Sequence, residues 1–143
     1  MSPLVSISIS QVAELLAHHG YDVAELPGGI LRVRDVHTSV SYQAALEGSV
    51  LYQTVNLVSV PTSEITAEVM HSMLSGHNGI STSSFRLYDA ADGWTAITLN
   101  NFCVLQDMGP EDREDILSIA GYLLADVVAA RGLLQSVTAA KQS

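Results

Sequence analysis

The segment from Pro110 to about Leu134 limits the choice of fold more than any other part of the chain. Proline suits the first helical position, because its missing N–H would have no intrahelical partner there. Glu111, Asp112, Glu114 and Asp115 follow at the positive end of the helix dipole, where carboxylates are stabilising. Apolar residues then recur at positions 116, 119, 120, 123, 124, 127 and 134, the i, i+3, i+4, i+7 spacing of one helix face. Leu117, Ala120, Leu124 and Val128 widen that stripe beyond the roughly 100° one supporting surface needs. The spacing predicts a long helix that covers a sheet and keeps apolar surface for a second partner.

The rest of the chain supplies the sheet. Ser8 and Gln11 form a capping-box pattern, with Ser10 as the rival cap. A short helix follows, with Val12, Leu15, Leu16 and His19 on one face and Gly20 at its C-cap. From Tyr21 the period changes to that of strands: Tyr21 to Leu26, then Pro27-Gly28-Gly29 as a turn, then Ile30 to Arg34. Ser39 to Leu46 alternates, Glu47-Gly48-Ser49 turns, and Val50 to Val60 is rich in β-branched residues. Both faces of that last strand are partly apolar, which marks Leu51, Val55 and Leu57 as candidates for contact with more protein. Pro61-Thr62-Ser63 ends the strand and starts a second helix, with Ile65, Val69, Met70, Met73 and Leu74 on its buried side and Gly76 at its end. Ser83 to Tyr88 and Trp94 to Leu105 form a hairpin around a loop that ends in Gly93.

The order is therefore α-β-β-β(-β)-α-β-β-α, and the hairpin-length connections predict an α+β fold: an antiparallel sheet of about five to six strands with helices packed on it. A length of 143 residues predicts a single domain over 1–143, with a frayed polar tail over about 135–143.

Charge restricts the partners. Six Lys and Arg stand against fifteen Asp and Glu, a net −9. Nucleic acid requires cations to displace phosphate counterions, so no nucleic-acid partner is expected. An anionic bilayer surface would repel the chain as well, and Asp126 and Arg131 interrupt the long helix, so no membrane insertion is expected. Met1 to Ile9 lacks the regions of a signal peptide, and a lone cysteine allows no internal disulfide, so the expected location is the cytoplasm.

No residue set calls for chemistry. His18 and His19 are adjacent and diverge on a helix, and His71 and His77 straddle a helix end, so neither pair has metal-ligand spacing. Cys103 lies in an apolar strand, where a thiol behaves as a small hydrophobe. The acidic run after Pro110 is explained by solvated charge at a helix N-terminus. No catalytic residue, metal or cofactor is expected.

The segment Glu14-Leu15-Leu16-Ala17-His18-His19-Gly20-Tyr21-Asp22-Val23, followed by Gly29-Ile30-Leu31-Arg32-Val33, resembles the opening of YbjN-type domains. Met70 to Ser75, then Phe85-Arg86-Leu87-Tyr88-Asp89 and a glycine-bearing hairpin, match the middle of that pattern, and the long final helix completes it. The element order is also similar to the type III secretion chaperone fold. That resemblance implies a non-enzymatic, dimeric protein-binding module, chaperone-like or regulatory and related to stress or secretion. Its implied partners are a second copy and a protein client. Leu117, Leu124, Val128, Leu51, Val55 and Leu57 are the candidate contact residues. The alternative is a small-molecule-sensing or metal-dependent domain, with a pocket between sheet and helices around Tyr52, Trp94 and Phe102, or a small hydrolase or metal-dependent enzyme built on His71, His77 or Cys103.

Overall fold

Ser8 caps the first helix as its sequence predicts. Its hydroxyl accepts from the Gln11 amide at 3.3 Å, and its own amide donates to Gln11 Oε1 at 2.9 Å. The helix, α1, runs Ile9–His18. Gly20, at φ +94°, lets the Tyr21 amide turn back to the Leu16 carbonyl and the Gly20 amide to Ala17. Tyr21 is used up in that cap, so β1 starts one residue later than expected and spans Asp22–Leu26. His19 is the C-cap residue and is exposed, not on the buried face.

The computed structural model describes residues 7–142, with side chains through 136. The strands are β2, Ile30–Arg34; β3, Ser41–Glu47; β4, Val50–Pro61; β5, Ser84–Asp89; and β6, Trp94–Val104. With helices α2, Ala67–Leu74, and α3, Pro110–Gln142, the order is the expected one. The six strands form an antiparallel sheet in the order β1-β2-β3-β4-β6-β5. The fold class is α+β, as the sequence predicts.

The chain divides into two compact units, Met1–Thr54 with Asn101–Gly121, and Val55–Asn100 with Tyr122–Ser143. In the first, α1 packs on β1 and β2. Val12, Leu15, Leu16, Leu31 and Val33 are buried, and Ser10 Oγ donates to Glu25 Oε1 at 2.8 Å. Register follows from side-chain alternation: Leu31 lies opposite Ala44, and Ala44 opposite Gln53. Asn101 Nδ2 donates to the Ile119 carbonyl at 2.9 Å, which fixes the start of α3 over the same face. The start of β3 is later than expected because Asp35 accepts from the amide and hydroxyl of Thr38, and Ser39 turns at φ 63° before extended backbone resumes.

In the second unit, Val69, Met73 and Ile97 form a core, with Leu57, Val60, Ile65, Phe85 and Leu134 packed around it. The second helix departs from expectation. Pro61 belongs to β4, and Thr62–Glu64 is a 3₁₀ turn; the helix itself begins only after Thr66, whose hydroxyl accepts from the Val69 amide at 3.2 Å. That start turns Val69 and Met73 inward, while Met70 and Leu74, one residue further around the helix, are exposed. The final helix continues beyond Leu134 to Gln142. Of the tail expected to fray, the side chains of 137–142 and all of Ser143 lie outside the described residues.

Candidate interaction surface

The second half of α3 presents two unlike sides. At 3.6 residues per turn, Leu123, Asp126, Val127 and Ala130 share one side, and all four are buried. Tyr122, Ala125, Val128, Ala129 and Gly132 occupy an arc of about 120° on the other side. Val128 is 68% exposed and Tyr122 50% exposed, Ala125 and Gly132 are exposed, and Ala129 is half-buried. No charged side chain lies in that arc.

One carboxylate holds this half-helix in place. Asp126 is almost wholly buried, and the loop before β5 folds around it. Ser81 donates to its Oδ1 from the amide at 2.8 Å and from the hydroxyl at 2.9 Å. The amides of Thr82 and Ser83 donate to Oδ2 at 3.3 and 3.1 Å. Burial alone would raise the carboxyl pKa; the donors from Ser81 and Ser83 outweigh it and hold it below the usual value. Asp112 does the same for the segment leading into α3, accepting from the amides of Gln106, Asp107 and Met108 at 2.7, 2.8 and 2.7 Å. Its pKa is also lowered, burial opposing and the three amides prevailing. The sequence reading missed both anchors, treating Asp126 as an interruption and Asp112 as solvated charge. The available signal was a lone acid in an apolar helix together with the Ser-Thr-Ser run at 81–83.

The candidate contact residues separate. Val128 is exposed, and Leu117 and Leu124 are half-buried. Leu51 and Val55 are buried by the chain itself, so they are core side chains and offer no contact surface. Leu57 is half-buried against the α2 core. The expected pocket around Tyr52, Trp94 and Phe102 is not between sheet and helices. Trp94 and Phe102 are exposed, on the strand face opposite buried Ile97 and Leu99, and Tyr52 meets Phe102 with ring centroids 6.0 Å apart.

Two other features bear on chemistry. A groove of about 760 Å³ lies between α1 and the segment entering α3, lined by Glu14, Leu15, His18, His19, Met108 and Arg113 among others. Among the described residues, no group of three or more His, Cys, Asp or Glu is arranged to hold a metal ion; His71 and His77 are both exposed. Cys103 is half-buried, and burial, with lesser contributions from Asp115 and Asp112, pushes its thiol pKa up to about 11, which keeps it protonated and unreactive near neutral pH. Among the described residues, one helix segment, Pro110–Ser136, is long and apolar enough to cross a bilayer.

No family model matches the chain, and no curated protein matches it. Among solved structures it is similar to the crystal structure of YbjN from E. coli, a protein described as a candidate transcription regulator. The TM-score is 0.68, over 93% of this chain and 97% of that one, at 14% identity. This likeness shows a YbjN-type fold, in agreement with the resemblance read from the sequence.

Proposed function

We propose that this chain is a non-enzymatic protein-binding module, chaperone-like or regulatory and cytoplasmic, that assembles as a homodimer through α3. The supporting observation is the uncharged arc Tyr122, Ala125, Val128, Gly132 on a chain of net charge −9. Two like-charged copies repel, and they meet at least cost where neither presents a charge. Twofold association also buries the same patch on both copies, so a modest apolar arc counts twice. Leu124, at the edge of the exposed side, extends the contact.

The regulatory reading draws on the YbjN-type fold, since that neighbour is described as a candidate transcription regulator. A chain with six cations among 143 residues is poorly equipped to grip DNA phosphates itself, so regulation would run through a protein partner. The four hydrogen bonds at Asp126 favour α3 docked on its own chain over α3 crossing a bilayer, because insertion would leave that carboxylate without them.

Light scattering on the gel-filtered protein tests the proposal. The expected mass is twice the 15.2 kDa of one chain. Ala125→Glu, at an exposed helix position, should give one-chain mass with unchanged secondary structure, since a dimer would bury two unpaired carboxylates. A wild-type mass of 15.2 kDa at all concentrations would refute it. The groove beside His18 and Arg113 supports a second reading, a small-molecule sensor, and native mass spectrometry of the purified chain showing a bound metabolite would favour it.

A further inference from the structure

The first unit has a second surface that no helix of that unit covers. On β2 the buried side chains are Leu31 and Val33, so Ile30, Arg32 and Arg34 point to the opposite face. Register carries that face across the sheet: Leu26 lies opposite Ile30, Ile30 opposite Ala45, and Ala45 opposite Tyr52. The Tyr52 ring meets Phe102 on β6. An apolar row therefore crosses strands β1, β2, β3, β4 and β6 on the outer face. Phe102 is 58% exposed at its end, and Val104, two residues along the same strand, is 54% exposed.

Beside this row runs positive charge. Arg32 is exposed, and its cross-strand neighbours are Ala24 and Gln43, neither of which is acidic. Arg34 lies further along, opposite Asp22 and within 3.4 Å of the Ser39 hydroxyl. Among the described residues neither arginine forms an ion pair with a carboxylate side chain, on a chain where acids outnumber bases fifteen to six.

We infer that this outer face is a docking site for an acidic amphipathic helix of another protein, its apolar side along the Leu26–Phe102 row and its carboxylates toward Arg32 and Arg34. The dimensions agree. Five strands about 4.8 Å apart give a row of about 19 Å, the length of roughly thirteen helical residues. An extended strand could pair only along the free edge of β1, at one end of the row, and could not lie across it with its backbone paired, because β2, β3 and β4 are each hydrogen-bonded on both sides. The sign of the charge selects the partner. Elsewhere the net −9 repels an acidic peptide, and a basic helix would be drawn to the acidic surfaces and away from Arg32.

The surface differs from the arc on α3, so its test is independent of the oligomeric state. The probe is a fluorescein-labelled helical peptide of about fourteen residues, with Leu and Phe at i, i+3, i+4 and i+7 and Glu on the flank, and a control carrying Lys for every Glu. Titration with the full chain, followed by anisotropy, should show saturable binding of the acidic peptide only. Phe102→Ser should weaken it at least about tenfold and Arg32→Glu about fivefold, the aromatic anchor outweighing the rim charge. Thermal melting by circular dichroism checks that each variant is folded, and Val104→Ser replaces Phe102→Ser if the latter is not. No binding by the acidic peptide up to about 1 mM, or equal binding by both peptides, overturns the inference. So does a change in solution mass on Phe102→Ser, which would assign the face to a second copy of this chain.

Discussion

Replacing Asp126 with alanine tests whether one carboxylate anchors the loop before β5 to α3. Four donors converge on it: two amides and a hydroxyl at 2.8 to 3.1 Å, and the Thr82 amide at 3.3 Å. A hydrogen bond to a charged acceptor contributes about 1.5–3 kcal/mol when fully enclosed. Ser81 and Thr82 are exposed residues, so their donors would regain water once the carboxylate is gone. About 1 kcal/mol for each bond is then the reasonable value, or about 4 kcal/mol in all. Alanine returns roughly 0.6 kcal/mol through helix propensity. The net loss is about 3 kcal/mol, more than a hundredfold in the folding equilibrium. Asp126→Asn keeps one carbonyl oxygen for two of the donors but turns an NH₂ toward the other two, and should cost about half as much. Urea denaturation measures both losses, and hydrogen exchange at the Ser81, Thr82 and Ser83 amides localises them. A loss below about 1 kcal/mol for the alanine variant, or unchanged protection of those amides, would refute the reasoning.

Gln53 is wholly buried, and neither polar atom of its amide has a hydrogen-bond partner among the described residues. Gln53→Met keeps the volume and removes that burden, so it should raise the urea midpoint by an amount equivalent to about 1–2 kcal/mol. The Asp112 and Asp126 pKa values are lowered in the folded chain, so the unfolded chain takes up protons first as pH falls. Their stabilisation is complete above the ordinary carboxyl range near pH 4 and is lost as pH drops through the folded values; Asp126→Ala should flatten this acid limb of the melting-temperature profile. Cys103, its thiol pushed up to about 11, should react with iodoacetamide at pH 8 far more slowly than a free thiol does, and a rate equal to that of free cysteine would contradict its half-buried position.

What the sequence disclosed depended on how far apart the partners lie along the chain. Ser8 and Gln11 are three residues apart, so the first helix and its cap could be read directly. Hairpin turns were legible for the same reason: Gly28 and Gly29, at φ +86° and +74°, stand where the backbone must turn between β1 and β2. The start of the second helix was not. Thr62 is held by partners about thirty residues away, its amide donating to the Gly93 carbonyl at 2.8 Å and its hydroxyl meeting Thr95 Oγ1 at 2.8 Å. Those contacts extend the strand through Pro61 and delay the helix to Thr66, and no local propensity encodes them.

The contact surfaces show a harder limit. Alternation along β4 separates Leu51, Gln53 and Val55 from Tyr52 and Thr54, but it does not say which set faces the helices. Both sets mix apolar and polar residues, and the covered one includes Gln53. Choosing the wrong face exchanges core for surface along the whole strand, which is why Leu51 and Val55 became contact candidates while Tyr52 and Phe102 were assigned to an interior pocket. On α3 the apolar groups nearly encircle the helix, and hydrophobicity alone again leaves the buried side open. Asp126 decides it. A carboxylate enclosed by four donors has to face its own chain, and Val128, about 160° around the helix axis from Asp126, must then face outward. The most polar residue in the middle of the helix thus determines which of its apolar residues are free to meet a partner.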